Sequence, residues 1–259
     1  MLCSDVIKVI EKAYPIRFAL EWDNVGLLAG RDNKEVESIY IALDATEEVI
    51  RAAISEKVDM LVTHHPLIFG GIKKINNQDL TGRCILDLIR NDISYYAMHT
   101  NYDVCGMADL SGEMLKFVDP EVLEVTSEED VPMGIGKIAD LEKEVSLGEC
   151  CDSVKAAFHL ENVRVFGELE QRVKRVAICP GSGKSVIGEA LKKKADVLIT
   201  GDIGHHDGID SVAEGLAIID AGHYGIEHIF INDMKKYLEE NLSGVKVIAA
   251  PIRHPFQVV

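Results

Sequence analysis

The sequence lacks the features that mark membrane, secreted and disulfide-stapled proteins. No apolar run approaches the roughly 20 residues that a transmembrane helix needs. Residues 1–5 lead directly into a charged helical pattern, without the basic and apolar segments of a secretory signal. The six cysteines are scattered and none forms a C-x-x-C pair, which is neither a disulfide framework nor a zinc-finger pattern. We therefore expect a protein of the reducing cytoplasm.

Basic residues are scarce as well. The 27 Lys and Arg residues stand against 43 Asp and Glu residues, which gives a formal net charge of −16. Such a surface repels phosphate backbones and anionic lipids on average, so we expect neither a nucleic acid nor a membrane as a partner. What the chain does have is an ordinary globular composition, 47% apolar over 259 residues, which is enough for a sizeable core in one or two domains.

Short apolar runs alternate with helix-like patterns, which predicts an α/β fold with mixed sheets covered by helices. In the first half we expect strands at 39–43, 59–63 and 93–98 and helices at 46–57 and 80–90. In the second half we expect strands at 173–179, 196–200, 216–220 and 245–249 and helices at 184–194 and 225–240. Ser4 is the expected N-cap of a first helix that stops near Pro15, and Thr46 and Ser146 are expected to cap two others.

The second half of the chain repeats the plan of the first. Residues 58–63 align with residues 195–200, and in the same ungapped register residues 39–42 fall on residues 176–179. We interpret this as an internal repeat, although buried strands of unrelated α/β units also draw on the same few residue types. The predicted organisation is two related α/β lobes, at 1–118 and 166–259, joined by a connecting region at 119–165, with a metal site between the lobes.

Histidines and carboxylates gather where predicted strands end, the edge at which open α/β sheets collect their ligands. The set is His64, His65, Asp103, His223 and Glu227. Imidazole and carboxylate groups together suit Zn²⁺, Mn²⁺ or Fe²⁺. A single histidine of this kind is more typical of a core or capping residue. The whole set favours a metal site, because each buried polar group would otherwise need a partner of its own.

Six short motifs follow one another along the chain. They are WDNVGL at 22–27, ALDAT at 42–46, VTHHPL at 62–67, HTNYD at 99–103, TGD at 200–202 with HH at 205–206, and GHY at 222–224 with Glu227. With these motifs the chain resembles the GTP cyclohydrolase I type 2 homologues, the Nif-three-like dinuclear-metal hexameric proteins. At 259 residues it is similar to the short form of that family.

The resemblance implies two divalent metal ions per subunit, of Zn, Fe or Mn. It implies that Glu227 bridges the two ions, that His65 and Asp103 complete one site, and that His64 and His223 complete the other. It also implies a toroidal homohexamer whose metal sites face an internal cavity. Two ions within about 4 Å of each other can share a water and polarise a substrate. The family name implies a hydrolase that opens the ring of GTP and releases formate.

Three functions remain open from the sequence. The first is a metal-dependent hydrolase of a nucleotide-like substrate, with GTP as the substrate that the family name implies. The second is a metal-binding hexamer that is not catalytic and serves as a scaffold or regulator. The third is a two-metal phosphoesterase. The candidate cations for gripping a phosphate group are Arg83, Arg253, Lys73 and Lys74.

Other histidines have subsidiary predicted roles. His206 is the candidate general acid or base. His205 and His206 either donate protons near the metals or only line the cleft. His99 is expected to lie outside the ligand set and to orient Asp103 or its strand.

The segment PGSGKS at 180–185 lies between a predicted strand and a predicted helix, as phosphate-binding loops do. A Walker motif needs a glycine five residues before Gly183, and that position holds Ile178, which argues against an NTPase of this class. The turn either binds phosphate through backbone N–H groups or is a tight connection. Asp23 and Asn24 are either substrate contacts or part of an Asx turn.

Overall fold

The computed structural model describes residues 1–128 and 131–259, so residues 129 and 130 of the predicted connecting region lie outside the described residues. The strands are β1 (Gly26–Ala29), β2 (Ser38–Ala42), β3 (Met60–Thr63), β4 (Ser94–Ala97), β5 (Glu121–Glu128), β6 (Pro132–Ser146), β7 (Arg164–Phe166), β8 (Arg172–Ser182), β9 (Val197–Gly201), β10 (Ala217–Asp220) and β11 (Lys246–Ala249). The helices are α1 (Cys3–Ala13), α2 (Glu47–Ser55), α3 (Leu80–Arg90), α4 (Thr100–Tyr102), α5 (Ala108–Met114), α6 (Leu147–Phe158), α7 (Ile187–Lys192), α8 (His205–Ala213), α9 (His223–Glu227) and α10 (Ile229–Asn241). Two mixed sheets covered by helices confirm the predicted α/β class.

One compact unit consists of Met1–Tyr102 and Ile229–Arg253. Its sheet has the order β1-β4-β3-β2-β11, in which β1 pairs antiparallel with β4 and the other neighbours pair in parallel. Every residue of β3 and β4 is buried, as expected for parallel strands covered on both faces. Ile50 of α2 and Leu88 of α3 belong to the same apolar cluster as Leu61 of β3, so these helices close one face of the sheet.

The other compact unit consists of Asp103–His228 and His254–Val259. Its sheet has the order β5-β6-β8-β9-β10-β7, with β8, β9 and β10 in parallel. The hairpin of β5 and β6 joins β8 antiparallel, and β7 adds an antiparallel edge beside β10. Ala190 of α7 packs in one cluster with Ala177 and Leu198, so this unit has its own apolar core.

The strand register agrees with the predicted internal repeat. In the first unit Ile39 of β2 lies opposite Met60 of β3, and in the second unit Val176 of β8 lies opposite Val197 of β9. The ungapped sequence alignment places Ile39 on Val176 and Met60 on Val197. Each strand–helix–strand segment therefore uses the same residue spacing to reach the same pairing register.

The predicted boundaries differ from these units in three places. Residues 103–118, expected in a first lobe at 1–118, belong with α5 to the second unit. Strand β11, expected in a lobe at 166–259, pairs in parallel with β2 and belongs with α10 to the first unit. The expected connecting region at 119–165 supplies β5, β6 and β7 to the second sheet instead of standing between two lobes. The physical reason is that strand pairing depends on contacts between segments that are distant in sequence, so an apolar run predicts a strand but not the sheet edge that the strand joins.

Helix caps follow the prediction in two cases of three. Thr46 accepts a hydrogen bond from Val49 N, and Ser146 forms a complete capping box at the start of α6. The prediction for Ser4 is wrong, because α1 begins at Cys3 and Leu2 occupies the N-cap position. Loop carbonyls satisfy the first N–H groups of this helix, so a side-chain cap is not needed.

Among the described residues, no helix combines the length and apolar character of a membrane span.

Candidate metal centre

In the first unit, β3 delivers His64 and His65 directly at its carboxyl end. The turn that carries them is held by Tyr95 of the neighbouring strand β4. The Tyr95 hydroxyl lies 2.9 Å from Thr63 Oγ1, accepts a hydrogen bond from Leu67 N at 2.8 Å and donates to the His65 carbonyl at 3.1 Å. Burial raises the pKa of Tyr95 to about 12, so its phenol is protonated at neutral pH.

Both imidazoles are oriented through Nδ1. His64 Nδ1 lies 3.0 Å from the Met98 carbonyl, and His65 Nδ1 lies 2.7 Å from Asp44 Oδ1. A carbonyl and a carboxylate only accept hydrogen bonds, so each Nδ1 carries the proton and donates. In the neutral imidazole the lone pair is then on Nε2, the atom that serves as a metal ligand.

His99 lies with His64 and His65 in the structure. The three residues each offer a ligand atom within 4.8 Å of the others. His99 Nδ1 lies 3.0 Å from Asp23 Oδ1, and Asp23 also accepts from Thr100 N at 2.9 Å. Burial disfavours the charged form of Asp23, but hydrogen bonds from His99 and Thr100 outweigh it and lower its pKa to about 2. Asp23 is thus built into the support of this histidine group.

In the second unit, α9 places His223 and Glu227 one turn apart on one side of the helix. His223 Nε2 lies 3.0 Å from Glu227 Oε2, and the Glu227 side chain is only 3% exposed. His223 Nδ1 lies 2.9 Å from Asp202 Oδ2. The Nδ1 atom of His223 is thus oriented by an acceptor, as those of His64 and His65 are, and its Nε2 faces Glu227.

A buried carboxylate organises the loops that present this pair. Asp220, at the end of β10, accepts hydrogen bonds from Ile203 N and Gly222 N, each at 3.0 Å. Arg164 of β7 pairs with the same carboxylate and also donates to the Ile203 carbonyl. These hydrogen bonds fix Ile203, next to Asp202, and Gly222, next to His223. The Asp220 carboxylate therefore positions the backbone on both sides of the Asp202–His223 contact.

The PGSGKS turn is explained by close packing. β8 continues to Ser182, so the turn does not begin where a phosphate loop would. A Cβ on Gly181, whose φ is +83°, would lie 2.6 Å from Glu227 Oε1 and 3.8 Å from His223 Nε2. A Cβ on Gly183 would lie 2.0 Å from Thr200 Oγ1. The two glycines allow the backbone to approach Glu227 and β9, which favours the tight-connection interpretation.

Asp103, the remaining predicted ligand, opens a π-helical turn at Asp103–Met107 in the second unit. Its charge acts on Cys179, a buried thiol at the end region of β8. Burial, and then the negative charges of Asp103, Glu124 and Glu227, raise the pKa of Cys179 above its usual range. Two of the predicted carboxylate ligands therefore act on one thiol, Cys179, which was not among the predicted site residues.

His206 is exposed on the first turn of α8, where its ring packs edge-on against that of His205. Within residues 1–128 and 131–259, no group of three metal-ligating side chains includes it. Its general acid or base role stays a prediction. Asp44 and Asp202, which hold His65 and His223, were not among the residues predicted for the site. Their signal was their position just after strands, inside the ALDAT and TGD motifs.

Comparison with known proteins places these features in a family context. The family model described as Duf34/NIF3 (NGG1p interacting factor 3) matches residues 1–255. A Clostridium perfringens protein named "GTP cyclohydrolase 1 type 2 homolog" is 35% identical over the full length of both chains, and a Lactococcus lactis protein of the same name is 37% identical over 95% of each. The crystal structure of a Bacillus cereus protein related to NIF3 superimposes with a TM-score of 0.94 at 28% identity, covering 100% of this chain and 99% of that one.

Proposed function

Because the chain belongs to the Duf34/NIF3 family, as its motifs predict, we propose that it binds two divalent metal ions. The proposed ligands are His64, His65, Asp103, His223 and Glu227. The observation that carries the proposal is the shared orientation of the three imidazoles. In each, Nδ1 contacts a carbonyl or carboxylate oxygen, which is the usual second contact of a metal-binding histidine, and in the neutral ring this contact leaves the lone pair on Nε2 for a metal.

The proposed roles follow the resemblance. Glu227 would hold both ions, His65 and Asp103 would complete one site, and His64 and His223 would complete the other. Burial of the Glu227 carboxylate within 3.0 Å of His223 Nε2 supports a bridging role, because a buried carboxylate is costly without compensating positive charge. Imidazole and carboxylate donors fit Zn²⁺, Fe²⁺ and Mn²⁺ alike, so the donor set does not select one of them.

For activity, we propose hydrolysis of a nucleotide-like substrate, with GTP ring opening and formate release as the reaction. The support is the name that the Clostridium perfringens and Lactococcus lactis relatives carry. When bound, two such ions polarise a substrate and activate water. The chain's own contribution is to hold the imidazoles in one tautomer and, in this proposal, to move a proton through His206. A homohexamer in the cytoplasm completes the proposal.

Metal analysis tests the ligand assignment first. The wild type is expected to carry two ions per chain by elemental mass spectrometry after loading with Zn²⁺, Mn²⁺ or Fe²⁺. Glu227→Gln is expected to lose most of this metal, because its neutral amide is a poor bridge. Glu240→Gln makes the same chemical change at an exposed position of α10 and is expected to keep both ions. Full occupancy in Glu227→Gln would contradict the bridging role.

An activity assay then separates the candidate functions. Metal-loaded wild type and Asp103→Asn are incubated with GTP and with a panel of phosphate esters, and both formate and phosphate are measured. Formate release that Asp103→Asn abolishes supports ring opening. Phosphate release alone identifies a phosphoesterase, and no turnover with full metal occupancy identifies a non-catalytic metal-binding protein. His206→Asn is expected to slow turnover roughly a hundredfold or more if it transfers the proton.

The oligomeric state is tested by native mass spectrometry of the metal-loaded chain. Six copies of the 28.5 kDa chain are expected in one assembly. A monomer or dimer at micromolar concentration would contradict the hexamer without affecting the metal assignment.

A further inference from the structure

Two large aromatic side chains are exposed beside the histidine group of the first unit. Trp22 is 60% exposed and Phe69 is 53% exposed. Both rings contact the imidazole of His99 edge-on. The Trp22 and His99 centroids are 5.8 Å apart with planes at 75°, and the Phe69 and His99 centroids are 5.6 Å apart with planes at 84°. The two aromatic rings therefore flank a single imidazole.

The backbone that carries these rings is held by hydrogen bonds. Asp23, next to Trp22, binds His99 and Thr100. Asn24 Nδ2 donates to the Ile68 carbonyl at 2.6 Å, which ties the Trp22 segment to the residue before Phe69. The two segments are distant in sequence but fixed to each other, so the pair is preorganised.

Such an arrangement is suited to a planar ligand. Exposed aromatic rings leave a large apolar surface in water, and burial of that surface by a flat ring is favourable. The face of an aromatic side chain stacks on any planar base, because every base has a π face of its own. His99 also contacts His64 and His65, with ring centroids 5.2 Å and 5.6 Å apart, so a ligand held at this pair lies beside two of the proposed metal ligands.

We propose that Trp22 and Phe69 form a stacking site for the planar heteroaromatic ring of the substrate, a purine or a ring system of similar size. This inference rests on the proposed function and deepens it by naming the substrate class and the residues that select it. Both residues act as specificity-determining residues, since they hold the ring and take no part in proton transfer. Lys73 and Lys74 follow Phe69 on the same loop and are exposed.

The experiment uses Trp22 as its own reporter, because it is the sole tryptophan of the chain. Metal-free full-length protein is titrated with guanosine, which has the ring but no phosphate, and with ribose 5-phosphate, which has no aromatic ring. Emission is excited at a wavelength that the ligand absorbs weakly. Saturable quenching by guanosine and none by ribose 5-phosphate are expected.

Variants at Phe69 locate the ring. Phe69→Ala is expected to weaken guanosine binding about tenfold, and Phe69→Tyr is expected to restore it because the π face is retained. Ile75→Ala removes an exposed apolar side chain from the same loop and serves as the matched control, with no change expected. In steady-state turnover of GTP, the Phe69→Ala effect is expected in KM and not in kcat.

The outcomes separate this inference from the proposed function. Equal guanosine affinity in Phe69→Ala and wild type overturns the stacking site, whatever the metal content. Trp22 emission that responds to protein concentration and not to guanosine overturns it too, because a second copy of the chain then covers the rings. Loss of metal binding in Glu227→Gln alongside intact guanosine quenching supports both proposals independently.

Discussion

Replacing Gly181 by alanine tests whether close approach of the backbone positions Glu227. An alanine Cβ would lie 2.6 Å from Glu227 Oε1, whereas carbon and oxygen atoms in contact are normally roughly 3.3 Å apart. The carboxylate therefore has to move by roughly 0.7 Å. Functional side chains need to be held to within about 0.5 Å, so we expect metal affinity to fall roughly tenfold to a hundredfold.

Gly181→Ala also strains the backbone, and a control variant with the same backbone strain but no contact with Glu227 separates the two effects. Gly181 has φ +83°, and an L-residue in the left-handed region costs roughly 1 to 2 kcal/mol. Gly215, in the turn between α8 and β10 of the same unit, has φ +93° and open space where a Cβ would go. Gly215→Ala and Gly181→Ala are expected to lose similar free energies of unfolding. The contact that Gly181→Ala makes with Glu227 adds little strain, because the carboxylate is the movable end of that side chain.

Two measurements on the pair of variants decide the matter. Urea unfolding of the metal-free proteins gives the loss of stability, and competition with a chromophoric chelator gives the metal affinity. We expect similar unfolding free energies and weakened metal binding in Gly181→Ala alone. Equal metal affinity in the two variants would refute the reasoning that Gly181 sets the position of Glu227.

Three further predictions follow from named contacts. Asp202→Ala removes the acceptor for His223 Nδ1 and is expected to weaken metal binding roughly tenfold to a hundredfold in chelator competition. Asp202 is exposed but has φ +55°, a conformation that Asp tolerates better than Ala, so a loss of about 1 kcal/mol in urea unfolding is expected as well. Tyr95→Phe deprives Leu67 N of its acceptor and is expected to cost roughly 1 to 3 kcal/mol in urea unfolding at pH 7. Burial raises the pKa of Tyr95 from 10 to about 12, so the neutral phenol stabilises the folded state fully below pH 10, and this stabilisation is lost as the pH rises through 12. Between pH 10 and pH 12 the free energy of unfolding of the wild type should fall by about 2 to 3 kcal/mol more than that of Tyr95→Phe. Ser146→Ala breaks the capping box of α6 and is expected to cost about 1 kcal/mol, measured by thermal or urea unfolding, and an unchanged midpoint would contradict the cap.

Some features of the fold could be read from local pattern alone. Buried apolar runs at β3 and β9 predicted strands, and the ungapped alignment of the two halves agrees with the equivalent pairings of Ile39 with Met60 and of Val176 with Val197. Polar residues that follow β3, β4 and β10 predicted the candidate ligands. Burial and periodicity are properties of a short segment, so a short segment carries their signal.

Features that depend on contact between distant segments were decided only by the tertiary structure. The pairing of β11 with β2 joins residues about two hundred positions apart in sequence, and nothing in either strand specifies that edge. The partners of the imidazoles lie 21 residues away in sequence, just after the neighbouring parallel strand: His65 binds Asp44, and His223 binds Asp202. Residue types and strand ends made the histidines candidates for metal binding. The acceptors, by holding the proton on Nδ1, decide which nitrogen of each ring can act.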